Sequence, residues 1–493
     1  MIAAMNEPGQ SSAAPRRIAI VGAGIGGLSA AWTLSQHLPA LNVTVFEASG
    51  RAGGVLETIY QPPYLIERSA DNFATLLPDA FDLCKATGYT DQLISPEKDG
   101  RQAFVLHRGR ILPIPVGFSL VQPTRLWPIL TTRTLTLAGK LRMLSEYFVP
   151  ARTDESDESL QSFAVRRLGR NAFDCLVEPI VSGIFTADPA KLSMQATLPQ
   201  FVKMEREHGG LIRGYLAARR ENAAAVARRA SGARYDQFMA PRQGMSHWIE
   251  HLVKSLPLDT IRFNAAVLNV ERISNQVSQG NSAEAKWRVT TADSSDEFDG
   301  LIIAVPTYHA ARLLKSSVPH IADELQKIEY ASSAVVVLVI DRKDIAQRVD
   351  GFGLIVPSKE KRPVLAISYT SNKYSGRAPA DQLMLRIFLG GALAPDILQQ
   401  TDDQLIASGK QQIREIIGWR GEKCHWQGVV RWSEAMPQYH VGHKQRVAQL
   451  QQLVAAAGRL RLCGAGYAGV GIPQTVRSGR LAAEEILQEA NVL

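Results

Sequence analysis

The chain has 493 residues, more than one ordinary hydrophobic core holds, so two or three domains are expected. Apolar residues make up 45% and charged residues 21%, as in folded water-soluble proteins, and no run of about 18 uncharged apolar residues offers a transmembrane helix. Lys plus Arg number 55 against 47 Asp plus Glu, a balance that suits an acidic substrate or an acidic membrane face. No nucleic-acid recognition module accompanies the charge, so nucleic acid is not expected as a partner. Cys84, Cys175, Cys424 and Cys463 lie far apart without a CxxC pair, which argues against a metal cluster or a disulfide framework and fits a reducing cytoplasm.

Residues 1–15 read as a flexible leader rich in Ser, Gly and Pro. Residues 17–22 (RIAIVG) form a buried parallel strand, 26–37 a helix with small residues on one face, and 42–47 a second strand ending in Glu47. Residues 76–94 look helical, and 102–116 alternate as a hairpin with Gly109 in the turn. The apolar stretch 111–130 is broken by Pro113, Pro115, Pro123 and Pro128; it is either core or a surface lying against a membrane. Residues 132–182 are helical in pattern, and the acidic turn Asp154 to Glu158 is expected to open one of those helices. Residues 214–230 suggest an exposed Ala/Arg helix. Residues 261–306 return to strands, 331–340 form a buried strand, and strand character runs on to about 391. Residues 402–417 form an amphipathic helix, and RLRLCG leads into a last helix near 474–489.

The chemistry-bearing signal is VGAGIGGLSAA. Gly22, Gly24 and Gly27 fit G-x-G-x-x-G between a strand and a helix: a tight turn, close approach of backbone to a pyrophosphate, and close helix–strand packing. The first helical N–H groups then face phosphate, and Glu47 at the end of the next strand can accept ribose hydroxyls. After Glu47 comes ASGRAGGVLET, whose Arg51, Gly53 and Gly54 resemble the R-x-G-G segment of the amine-oxidase-like FAD superfamily. The C-terminal LCGAGYAGVGIPQTVRSGRLAAEEI resembles the segment that brings backbone N–H groups of such proteins to the flavin ring.

Further blocks sharpen the resemblance: SLQSFAVRRLGRNAFDCLVEPIVSGIFTADPAKLSMQATLPQF (159–201), GFGLIVPS (351–358), RWSEAMPQYHVGHKQRV (431–447) and GAGYAGVGIP (464–473). With the N-terminal motif they are similar, in order and over nearly the whole chain, to the bacterial protoporphyrinogen and coproporphyrinogen oxidases of haem synthesis. The resemblance implies an α/β architecture: a doubly wound, Rossmann-like FAD domain assembled from separate segments (16–85, 235–306, 425–493), a mixed-sheet substrate domain (86–110, 307–424) and a mostly helical domain (111–234). It implies FAD held by Gly22, Ala23, Gly24, Ile25, Gly26, Gly27, Glu47, Ala48, Arg51, Gly53, Gly54 and Val55. Val267, in the strand after the long middle segment, would meet the adenine end, and Trp432, Val470, Gly471 and Ile472 would close over the cofactor. It places a porphyrinogen against Gly183, in an SG turn, and Tyr374, with molecular oxygen as acceptor. It leaves open a homodimer and peripheral contact with the inner face of the cell membrane. Amine or polyene oxidation are rival activities of the same superfamily.

Two departures stand out, the first at the flavin around Ser69 and Ala70, the second at the substrate propionate. Family members carry Gly-Pro after the Glu-x pair near the flavin, where this chain has Glu67-Arg68-Ser69-Ala70-Asp71-Asn72. The Arg that precedes the FVL strand in eukaryotic-type members is Ala103 here, with Arg101 two residues earlier. His440 and His443 read as a structural turn beside the cofactor, and Arg166 and Arg167 either as propionate ligands or as the commoner solvated helix face. No metal ligands and no acid–base dyad stand out.

Overall fold

The computed structural model describes residues 15–37, 39–98, 101–221, 238–273, 286–347 and 349–489. The expected leader therefore lies outside the described residues except for Pro15, as does the part of the Ala/Arg helix beyond Glu221.

Five strands build a fully parallel sheet in the order Ile261–Arg262, Leu41–Phe46, Arg16–Val21, Gly300–Ile303, Leu460–Leu462. Three separate parts of the chain supply them. Strand Arg16–Val21 is apolar from Ile18 onward because both of its faces are covered there. Ile18 and Ile20 pack with Leu28 of helix Ile25–Ser35 and Ile486 of helix Ile472–Glu489. Ala19 and Val21 face the other way, toward Ala310, Ile321 and Leu450 of helices Thr307–Leu314, Pro319–Gln326 and His443–Ala456. This is a doubly wound domain. Its first and last helices meet at glycines: a Cβ on Gly479 would stand 2.0 Å from the Gly26 carbonyl oxygen.

The second sheet has seven strands: Trp426–Pro437, Tyr330–Asp341, Gln382–Gly390, Val364–Tyr369, Gly353–Ile355, Ala103–His107 and Arg110–Pro113. Gly353–Ile355 runs parallel to Ala103–His107, and the other pairings are antiparallel. ASSAVVVLVI is apolar at successive positions for a visible reason. Val336, Leu338 and Ile340 pack under helix Asp402–Ile417, while Val335, Val337 and Val339 pack on Tyr64 and Ile66. A third, mostly helical layer surrounds Phe163, Leu168, Phe173, Val177 and Val181.

Several local expectations change. The helix expected over 76–94 is Asp79–Ala86; Gly88 at φ 73° ends it, and Leu93–Ile94 pair instead with Ala240 and Pro241. Asp154 to Glu158 precede their helix rather than open it. Ser159 is the cap, its hydroxyl accepting from Ser162 N at 3.1 Å, and Asp154 pairs with Arg152. Val267 lies in the connection between strands Ile261–Arg262 and Asn269–Ile273, not in a strand. The hairpin about Gly109 and the helix Asp402–Ile417 stand as read, the latter opened by a Thr401/Gln404 capping box.

Candidate active site

The glycine turn combines two kinds of glycine. A Cβ at Gly27 would lie 2.0 Å from the Gly22 carbonyl oxygen, so that position is closed by helix–strand packing. A Cβ at Gly24 would meet nothing within 4 Å, because the N-terminus of helix Ile25–Ser35 opens onto a groove there. Gly22 stands at φ 101°, which only glycine adopts readily. The R-x-G-G loop forms the opposite lip: Gly53 N donates to Ala23 O at 2.8 Å, and a Cβ at Gly54 would meet the Gly24 Cα at 3.5 Å. Gly54, Val55 and Ala48 are exposed along this lip. Arg51 folds back onto its own loop, donating to Gly54 O at 2.6 Å and Leu56 O at 3.2 Å and pairing with Glu57. It braces the loop from within.

Glu47 sits at the strand end with both oxygens engaged, by Ala23 N at 2.9 Å on one side and Ser49 N and Oγ on the other. The carboxylate is oriented before any ligand arrives. The connection carrying Val267 is tied alongside, through Ala265 N to Glu47 O at 2.8 Å and Asn264 N to Ser49 O at 3.0 Å. An open backbone cradle at a helix N-terminus beside an oriented acid suits the pyrophosphate and ribose of a dinucleotide.

The other end of the groove is held by side chains. Segment 67–71 follows the short hairpin and passes between the two sheets. Glu67, 1% exposed, accepts from Met245 N at 3.0 Å and Thr58 Oγ1 at 2.7 Å. Burial pushes its pKa up to about 7 against those bonds and nearby Arg377. The next two carbonyls are both taken: Trp432 Nε1 donates to Arg68 O at 3.2 Å, and buried Arg386 donates to Ser69 O. Burial alone would raise the Asp71 carboxyl, but Lys373 at 3.2 Å and Arg386 at 3.8 Å outweigh it and hold it below the usual range. Sequence reading missed this cluster, although Arg386 inside the apolar run LMLRIFLG was a legible sign of a buried partner.

Val470, Gly471 and Ile472 lead into the last helix, and Val470 packs on the helical layer together with Ile355 and Phe185. Gly183 is in helix Glu178–Phe185 rather than in a turn. Its missing Cβ points at the mixed sheet, 3.7 Å from Ile355 and 3.9 Å from Ala366, so helix and sheet face each other there across apolar atoms. Tyr374 is 1% exposed beneath the Arg377 guanidinium at 5.7 Å, and burial raises its phenol pKa. It is wall, not an open face of this gap. Arg101 turns back to Glu97 O at 3.0 Å and Pro96 O at 3.2 Å, while Ala103 begins a sheet strand.

The solvated-face reading fails for Arg167. It is 0% exposed and pairs with Glu146, itself 0% exposed, and with Glu205 at 3.3 Å. Glu146 in turn accepts from Leu211 N at 2.7 Å and Ile212 N at 3.0 Å, so the cluster caps helix Leu211–Glu221 and clamps the helical layer. Arg166 is partly exposed and pairs with Glu158 and Glu205, both at 2.6 Å.

A doubly wound sheet with an open glycine cradle, joined to a mixed sheet across a braced groove, defines an oxidoreductase of the dinucleotide-binding flavoprotein class. Residues 25–487 match the family of flavin containing amine oxidoreductases, and the chain belongs to it; FAD is its cofactor. Coproporphyrinogen III oxidase of Staphylococcus aureus is 29% identical over 96% of this chain and 99% of its own length. Mitochondrial protoporphyrinogen oxidase of Nicotiana tabacum is 24% identical over 96% of this chain and 95% of its own. A crystal structure described as a protoporphyrinogen oxidase from Exiguobacterium sp. 255-15 superposes with a TM-score of 0.81 at 28% identity, covering 98% of this chain and 100% of that one. Cyclohexylamine oxidase of Brevibacterium oxydans, at 16% identity and a TM-score of 0.66, shares the fold.

Proposed function

We propose that this flavoprotein oxidises a porphyrinogen, coproporphyrinogen or protoporphyrinogen, to the porphyrin in haem biosynthesis. The observation that carries the reading is similarity to a named coproporphyrinogen III oxidase along 96% of the chain. Bound FAD supplies a hydride acceptor, drawn on in three two-electron rounds from meso carbons, with oxygen as the final acceptor.

The chain's own residues bind and orient. The cradle from Gly22 to Gly27, with Ala23, Ile25 and Gly26 in its backbone, takes the pyrophosphate, and Glu47 takes the ribose. Ala48, Arg51, Gly53, Gly54 and Val55 line the facing lip, Val267 flanks the adenine end, and Trp432 and Val470 to Ile472 flank the ring. The puckered porphyrinogen macrocycle lies against the Gly183 end of helix Glu178–Phe185, where no side chain projects toward Ile355 and Ala366. No general acid or base is required of the protein, because aromatisation drives the reaction and the macrocycle's N–H protons leave through tautomers. The hydrogen bonds of His443 agree with that: they point into the fold.

Anaerobic mixing with coproporphyrinogen III and, separately, protoporphyrinogen IX tests the reading. Rapid bleaching of the visible flavin band with either is expected, followed by peroxide release on admission of air. No bleaching with both, together with bleaching by a primary amine, would replace porphyrinogen by amine.

The helical layer also supports peripheral membrane contact. Trp127, Leu137 and Phe148 are 74%, 74% and 77% exposed, and Leu130, Leu141 and Arg133 lie in the same stretch of chain, the two leucines exposed. Among the described residues no helix is long and apolar enough to cross a membrane. Co-sedimentation with vesicles rich in anionic lipid, lost in a Trp127→Ser/Phe148→Ser double variant, is expected. Equal sedimentation of both proteins would remove the patch from that role.

A further inference from the structure

The segment Gln438 to His443 joins the last strand of the mixed sheet to helix His443–Ala456, and it touches three parts of the molecule at once. Toward the mixed sheet, Gln438 N donates to Glu329 O at 2.8 Å. Toward the helical layer, Ser193 N donates to Tyr439 O at 2.7 Å and Gly442 N to Asp157 Oδ2 at 2.9 Å. Gln438 Nε2 reaches the carbonyl of Phe185, the last residue of the helix that carries Gly183, at 3.4 Å.

Its third contact is the glycine-rich turn ahead of the last helix. Tyr439 is 1% exposed; its hydroxyl donates to Ala465 O and also faces the Gly469 N–H. The His443 ring stacks on Tyr439 with centroids 4.3 Å apart, and its Nε2 lies 3.1 Å from Tyr467 O. A carbonyl can only accept, so the His443 proton sits on Nε2. Burial pushes the His443 pKa down to about 4, which keeps the ring neutral and this tautomer in place.

The turn needs such external ties. Its own helix, Ala465–Ala468, is four residues long, and Gly464 and Gly469 stand at φ 127° and φ 148°. Glycines give up the most backbone freedom on ordering, so partners outside the turn decide its shape. Tyr439 and His443 hold it at positions 465 and 467, immediately before Val470 to Ile472.

We infer that Tyr439 and His443 are positioning residues for the flavin: they set the 470–472 backbone against the cofactor and couple it to the helix bearing Gly183. The inference rests on FAD binding and not on the identity of the reducing substrate. Its test therefore reads the flavin, and a failed porphyrinogen assay leaves it untouched.

The test compares Tyr439→Phe, His443→Leu and His443→Gln holoproteins. The readouts are FAD dissociation constant, visible spectrum of the bound flavin, midpoint potential and melting temperature. Tyr439→Phe keeps the stacked ring and loses only the hydroxyl. It should weaken FAD about tenfold, as one lost hydrogen bond would, and shift the bound spectrum or potential. His443→Leu should do the same, and His443→Gln, which restores an N–H donor, should recover most of the loss. Tyr439→Phe with wild-type affinity, spectrum and potential overturns the inference, whatever the fate of His443→Leu. So does a drop in melting temperature with the bound flavin unchanged, because packing alone would give that.

Discussion

At the end of the site proposed for the nucleotide, Gly22, Gly24, Gly27 and Glu47 belong to one strand–helix–strand unit, and the cradle is made almost entirely of backbone. At the end proposed for the ring, segment 67–71, Gly183, Arg386, Trp432, Tyr439 and Val470 come from distant parts of the chain, and buried side chains hold the backbone in place. The first construction tolerates no added atoms at the packed glycine but leaves the groove open. The second tolerates changes of size and depends on hydrogen bonds to carbonyls. Steric rules govern one end and polar satisfaction the other.

The sharpest way to break this contrast lies within the glycine turn. Gly27→Val puts side-chain atoms where a Cβ already stands 2.0 Å from the Gly22 carbonyl oxygen, and no folded, flavin-loaded protein is expected from expression and absorbance. Gly24→Val meets nothing within 4 Å of its Cβ. It should keep the circular-dichroism spectrum of the parent while losing most bound FAD. If both variants behave alike, packing and ligand cradle are not separate functions.

At the ring end the largest effect is expected from Arg386→Met. It strips Asp71 of one of its two cations and leaves Ser69 O without its donor inside the protein. Breaking a buried ion pair costs about 3 kcal/mol or more, to be read from denaturant unfolding. Lys373 stays with Asp71, which favours the lower end of that range.

The pH response adds a third test. His443 has its pKa lowered from the ordinary 6.5 to about 4. Between those values the unfolded chain binds a proton that the folded chain does not, so this contribution is whole above pH 6.5 and is lost as pH falls toward 4. Its size is up to about 3 kcal/mol from the pKa difference. The melting temperature of His443→Gln should fall less than that of the parent across the same window. Parallel pH curves for the two proteins would contradict the neutral buried ring.

The smallest effect is expected from Trp432→Phe. It removes one N–H bond to Arg68 O and keeps an aromatic ring, for a loss of about 1 kcal/mol and a small shift of the flavin band. A Trp432→Phe effect as large as that of Arg386→Met would mean that the indole does more than donate to one carbonyl.

Legibility followed the same divide. The glycine turn, Glu47, the Gly109 hairpin and helix Asp402–Ile417 could be read because their requirements are local: a tight turn, a strand end, a φ near 73°, a capping pair with an apolar stripe. The misreadings sit where the partner is remote. Arg167 read as solvated because Glu146 and Glu205, 21 and 38 residues away, meet it only in the folded helical layer. Gly183 read as a turn because glycine often marks one, whereas it lies inside helix Glu178–Phe185 facing Ile355 and Ala366. For Tyr374, expected at the substrate, the fold adds a packing partner that the sequence did not show, the Arg377 guanidinium over its ring.

In the sequence alone the dinucleotide-binding turn was legible, because the backbone geometry of phosphate binding demands particular residues at short spacing; FAD and a first sheet fed by separated segments were legible through the resemblance of further blocks to known flavoproteins. Tertiary structure decided which buried charges brace segment 67–71, which residues Gly183 faces, and that Tyr439 and His443 hold the final glycine turn. Those are pairings across tens to hundreds of residues, and no local pattern records which donor will meet which carbonyl once two sheets and a helical layer have packed together.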